Sequence, residues 1–211
     1  MSTAQETKST PTPNASQPTL SVRDLEVNFR IEKGTATAVG GVSFDVFPGE
    51  VLGIVGESGS GKSVTALSLL RLIPDPPGKI AAGEIVMNGI NLLDLSYDQM
   101  RDVRGNQIAM IFQEPMTALN PVFTVGMQVM ETVLTHEKVT KQEARERAIN
   151  MLEAVGIPDA GKRLNDYPHQ FSGGIPPRAM SAITWGCHPP ITLASDPITA
   201  SHRRTLATTT P

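Results

Sequence analysis

Hydrophobic and polar positions alternate from Leu20 onward, first in LSVRDLEVNFRI and then, past Lys33-Gly34, in a stretch ending GVSFDVF before Pro48-Gly49. A period of two, broken at turn residues, predicts two or three β-strands joined by turns. VLGIV (51–55) is instead a continuous apolar run, which predicts a strand covered on both faces. A Gly/Ser loop follows, and then VTALSLLRLI, whose apolar spacing is helical and which must end by Pro74. Past the Pro76-Pro77-Gly78 loop, IAAGEIVMNG predicts more strand and IAMIFQ (108–113) another buried one. VGMQVMETVLTH reads as a helix, and Thr140 with Glu143 has capping-box spacing at the head of KQEARERAINMLEAVG, closed by Gly156 and Pro158. Strands first, then a strand–loop–helix unit, then a mostly helical stretch predict an α/β core with a helical subdomain. The chain has no internal repeat.

Composition changes the picture at the two ends. The 211 residues, 39% of them hydrophobic, suffice for a buried core, and this excludes wholesale disorder. Residues 1–19 are rich in Ser, Thr, Pro and Gln, have no hydrophobic period and predict a disordered arm. They hold no apolar segment of a signal peptide, and no run of about 18 apolar residues occurs anywhere, so the expected place is the cytoplasm unless a partner holds the protein at a membrane. Net charge is −3, which argues against a polyanion-binding chain and so against nucleic acid as a partner. The single cysteine, Cys187, cannot form an internal disulfide and fits a reducing compartment. Six of the 17 prolines fall in residues 175–211, where Asp196 is the one acidic residue. Body and tail are written in different compositions.

The strongest chemical signal is Gly56-Glu57-Ser58-Gly59-Ser60-Gly61-Lys62-Ser63, which satisfies G-x-x-x-x-G-K-[ST]. Glycines let successive backbone N–H groups curl around a phosphate, and the helix that follows adds its positive end. Lys62 is spaced to reach the β- and γ-phosphates, and the Ser63 hydroxyl to ligate Mg²⁺. A strand before and a helix after are the context this loop requires. Lys-Ser points to a nucleoside triphosphate rather than a dinucleotide.

Two later segments narrow the class. Gln113 closes the buried run IAMIFQ ahead of a Pro-containing loop, where a side-chain amide could orient Mg²⁺ or a water; by itself it reads first as a polar strand end. Ser172-Gly173-Gly174 follow LNDYPHQF and could offer a hydroxyl and backbone donors to a phosphate at a helix start, although a loop or N-cap is the default for so short a motif.

Taken in order and spacing, the text around 49–63, MIFQEPMTALNP (110–121) and YPHQFSGG (167–174) resembles the ATP-binding subunit of an ABC transporter, closest to the oligopeptide, dipeptide and nickel importer group. The resemblance covers about 20–174. It implies a P-loop NTPase core of the α/β class with an N-terminal antiparallel β subdomain, a helical subdomain at about 114–174, and residues 175–211 as a degraded, incomplete remainder of the core. It implies ATP and Mg²⁺ as ligands, with Gly56 to Ser63 as the Walker A loop. Phe29 is implied to stack on adenine, where a strand-core phenylalanine is the alternative. Gln113 is implied as the γ-phosphate sensor that meets the membrane domain, and, with Ser63, as a residue on the metal. Ser172, Gly173 and Gly174 are implied to close over ATP held by the opposite subunit. The implied partners are two transmembrane permease subunits, a second ATP-binding subunit in a homo- or heterodimer, and indirectly a periplasmic substrate-binding protein, at the cytoplasmic face of the inner membrane.

The tail departs from that pattern. Ile175-Pro176-Pro177-Arg178 stands where the family has a long helix; with Ser172 as N-cap the two prolines would fall where they cost about 3 kcal/mol each, so the helix is expected to start later or not at all. At the Walker B register, Ile191 to Ala194 is followed by Ser195 where the family has Asp and by Asp196 where it has Glu. A hydroxyl is a poorer partner for Mg²⁺ than a carboxylate, and Asp is one methylene shorter than Glu. The resemblance therefore implies an importer ATPase that drives peptide uptake, with two alternatives: an ATP-binding partner subunit deficient in hydrolysis, or a non-functional truncated fragment.

Overall fold

A computed structural model describes residues 17–112, 118–171 and 175–195. The two alternating stretches pair antiparallel as β1 (Leu20–Ile31) and β2 (Gly34–Val46). β3 (Gly78–Met87) lies on the other side of β1 and β4 (Ile90–Asn91) follows it, giving the order β2-β1-β3-β4. Leu20, Val22, Leu25 and Val27 of β1 point into the core. A shift in register after Val22 leaves Arg23 and Asp24 both outside. Opposite them Gly83 has φ +101, and a Cβ there would press on the carbonyls of Arg23 and Asp24 at 2.6 Å, so the irregularity requires glycine.

Two helices extend this layer. α1 (Lys62–Leu69) buries Leu69, and Leu70 just beyond it, in the same apolar cluster as Val27 and Val39. α2 (Tyr97–Val103) opens on a capping box of Ser96 and Gln99 and adds Met100 to that cluster. The S-x-x-Q spacing is the local signal of this cap.

β5 (Ile108–Ile111) is buried along its whole length and pairs in parallel with β6 (Ile191–Ala194), from Ile108 opposite Ile191 to Ile111 opposite Ala194. It acts as a wall between two cores. Ile108 and Met110 belong to the sheet cluster, while Ile111 belongs to the helical one.

The helical core is built by α3 (Val125–His136), α4 (Lys141–Ala154), the single turn α5 (Ala160–Arg163) and α6 (Ile175–Thr184). Val125, Val129 and Val133 recur every four residues along one buried face of α3, and Val125 and Val129 join Ala148 and Leu152 of α4 and Ala179 and Ala182 of α6 in one cluster. The cluster continues through Trp185.

One expectation is corrected. Residues 51–55 form no strand: Val51 is 84% and Val55 93% exposed, and among the described residues no strand pairs with them. An apolar run specifies what it would bury against but does not supply the cover, and among the described residues the parallel sheet is β5 with β6. A helix is present in the tail, described over Ile175–Thr184, so of the two expected outcomes its complete absence is excluded; residues 172–174 directly ahead of it lie outside the described residues.

Candidate nucleotide-binding site

The phosphate-loop sequence lies directly ahead of α1, with Gly61 as its N-cap and Lys62 as its first residue. Gly59 and Gly61 have φ +81 and +89, a region that side chains with a Cβ rarely enter. A Cβ on Gly61 would run into the carbonyl of Ala38 on β2, and one on Gly56 would lie 2.6 Å from Ser60 Oγ. The glycines are thus demanded both by backbone angle and by close approach. The first intrahelical bond is Thr65 N–H to Gly61 O at 2.8 Å, so the N–H groups of Gly61 through Val64 have no partner within the helix. These donors lie at the positive end of α1, beside a loop exposed to solvent.

Lys62 Nζ donates to the carbonyls of Gly56 at 2.7 Å and Glu57 at 2.6 Å, with Ser60 Oγ at 3.3 Å. Its ammonium therefore spans the concave side of the loop, held by neutral acceptors that an anionic oxygen would displace. Ser63 is exposed one residue further on. A loop with glycines at its tight positions, helix N–H groups without intrahelical partners and a lysine across its mouth fit a triphosphate and its metal.

Phe29 is half-buried, sits opposite Gly78 in the β1–β3 pair, and packs its ring where a Cβ on Gly78 would be 2.8 Å away. It pairs with Ala36 of β2, two positions from the Ala38 carbonyl beneath Gly61, which brings it to the part of the sheet next to the loop. Ser195 follows β6, with its N–H and its Oγ each 3.1 Å from the Ile111 carbonyl. A carboxylate could not donate this second bond. The parallel register of β5 and β6 sets the residues after Ile111 and Ala194 side by side, at the carboxyl ends where open α/β sheets take their ligands. Gln113, Ser172, Gly173, Gly174 and Asp196 lie outside the described residues. Among those described, no group of three His, Cys, Asp or Glu is arranged to hold a metal ion, and no helix is long and apolar enough to cross a membrane.

The sequence reading missed two arginines. Arg104 donates through Nε to Leu70 O at 2.8 Å and through Nη2 to Arg71 O at 2.9 Å, at the far end of α1. Arg71, at φ +50, donates through Nη1 to Leu92 O at 3.2 Å and Leu95 O at 2.6 Å. No local spacing announces such pairs, because the partners are more than twenty residues apart in sequence.

The family model for ABC transporters matches residues 39–199. The chain is 55% identical over 181 residues to a probable peptide ABC transporter ATP-binding protein, y4tR, of Sinorhizobium fredii, covering 86% of this chain and 54% of that one. To the oligopeptide transport ATP-binding protein OppD of Bacillus subtilis it is 48% identical over 181 residues, covering 86% of this chain and 51% of the other. It thus spans about half the length of these relatives. A solved ATP-binding cassette, in a dimeric post-hydrolysis state bound to ADP and Pi, superposes with a TM-score of 0.75 at 26% identity, covering 89% of this chain and 78% of that one. With the loop geometry, the family match and the cassette fold in agreement, the chain belongs to the ABC transporter family, as an ATP-binding domain.

Proposed function

We propose that this protein is the ATP-binding subunit of an ABC importer, coupling ATP binding and hydrolysis to uptake of peptides. The observation that carries the nucleotide part is Lys62 spanning a glycine cradle at the head of α1. Support for peptides comes from the relatives, which are named for peptide and oligopeptide transport. In this reading two permease subunits hold it at the cytoplasmic face of the inner membrane, a second ATP-binding subunit pairs with it, and a periplasmic binding protein delivers substrate.

Mg²⁺ bound with ATP would neutralise charge on the phosphates and polarise the γ-phosphoryl group. The backbone N–H groups of Gly59 to Ser63 hold phosphate oxygens, and Lys62 exchanges the Gly56 and Glu57 carbonyls for them. Ser63 and Gln113 would hold the metal, and Phe29 would stack on adenine. Ser172, Gly173 and Gly174 serve the nucleotide on the second subunit. One observation favours a second reading, in which this chain binds ATP and hydrolyses it poorly. The Ser195 hydroxyl is committed to the Ile111 carbonyl, at the register where the family places a carboxylate.

The test is thermal unfolding with and without Mg-ATP. Binding to the folded state raises the midpoint, by an amount equivalent to about 2.7 kcal/mol at a hundredfold excess over Kd. The wild type should show this rise and Lys62→Ala should lose it. Equal shifts in both proteins would remove the nucleotide-site assignment. Steady-state phosphate release by the same samples then separates the hydrolysing from the binding-only reading.

A further inference from the structure

The two arginines give α1 a fixed attachment at the end opposite its nucleotide loop. A helix terminus leaves carbonyls without intrahelical partners, and a guanidinium that takes two of them makes charge-assisted bonds with a set geometry. Arg104 supplies such a fork to Leu70 O and Arg71 O, while its guanidinium carbon lies 5.7 Å from the centre of the Tyr97 ring. The backbone at Arg104 is tied in turn to β5. Arg104 bridges to Ile108, Gly105 N–H donates to Ile108 O at 2.9 Å, and Ile191 N–H donates to Gln107 O at 3.2 Å on the way into β6. Arg71 completes the connection in the opposite direction, from the end of α1 to Leu92 O and Leu95 O ahead of α2.

Lys62 therefore stands at one end of an eight-residue helix whose other end is pinned, through one guanidinium, to the strand pair β5–β6. A short helix held by hydrogen bonds at its end moves with its anchor rather than independently of it. We propose that Arg104, braced by Arg71, is a positioning residue for the nucleotide: it sets the orientation of α1, and hence of the phosphate loop, relative to β5. The same bonds carry the effect of nucleotide binding from the loop to β5. This rests on the nucleotide-binding reading above.

The experiment compares wild type, Arg104→Met and Arg104→Lys for Mg-ATP affinity and for amide hydrogen exchange, well below their melting midpoints. In the wild type, Mg-ATP should slow exchange both in the loop at 56–63 and in Ile108–Ile111. Arg104→Met removes two charge-assisted bonds and should weaken Mg-ATP binding by roughly tenfold or more. It should also lose the slowing in Ile108–Ile111 while keeping that in the loop. Arg104→Lys, with the charge but no fork, should fall between. If Arg104→Met gives no cooperative unfolding, the lysine variant carries the comparison, and wild-type affinity with wild-type protection of β5 in it overturns the proposal. A folded Arg104→Met that binds and protects β5 like the wild type overturns it as well, leaving Arg104 a plain helix cap. A wild type that binds no Mg-ATP would defeat the nucleotide reading first and the positioning role with it; the two failures are thus distinguishable.

Discussion

At the residue scale, the nucleotide loop was legible because its chemistry is local. Eight consecutive positions from Gly56 to Ser63 hold the glycines, the lysine and the helix start, and in the structure Lys62 Nζ donates to the Gly56 and Glu57 carbonyls. Gly61 shows how narrow the requirement is. Its φ of +89 alone costs an alanine about 1–2 kcal/mol, and the Ala38 carbonyl of β2 blocks the Cβ besides. Gly61→Ala should lower the melting midpoint and abolish the Mg-ATP-dependent rise; retention of that rise would show that the loop does not need this backbone angle. Arg71 and Arg104 were not legible, since an arginine's partners are backbone carbonyls brought near by folding.

At the element scale, the helices follow their end signals more closely than their apolar runs. Thr140 and Glu143 form the capping box that the spacing announces, with Thr140 N–H 2.7 Å and Thr140 Oγ 2.8 Å from Glu143 Oε2. The backbone N–H of Thr140 is the main cause, and its hydroxyl the second, that hold the Glu143 carboxyl below the usual glutamate range. A depressed folded value means the ionised group favours the folded state. That contribution is complete above the unfolded glutamate value of about 4.3 and is lost as pH falls through the lower folded one. Denaturant unfolding at neutral pH and near pH 3 should therefore show a smaller acid loss for Glu143→Gln than for wild type, and parallel losses would refute the linkage.

At the scale of the whole molecule, β5 separates a sheet-based core from a helical one, and its alternate side chains serve both. The segment 51–55 lies outside both cores, although its sequence reads as a strand covered on both faces. Its exposed aliphatic side chains next to an unpaired backbone are an association hazard. Val51→Lys combined with Val55→Lys should reduce light scattering and binding of a hydrophobic dye, and leave the melting midpoint nearly unchanged. A large fall in the midpoint would show instead that these side chains are buried in solution.

By itself, the sequence determined everything that depends on near neighbours along the chain: the alternating strands, the capped helix at Lys141–Ala154, the nucleotide loop, and enough wording to place the family. Hydrophobic period, caps and glycine angles act over a few residues, so their signals survive without a fold. Only the tertiary structure decided that 51–55 stands uncovered, that the Ser195 hydroxyl is committed to the Ile111 carbonyl, and that Arg104 fastens the nucleotide helix to β5. Each of these depends on which distant backbone lies alongside, and a side chain's partners exist only after folding has brought them there.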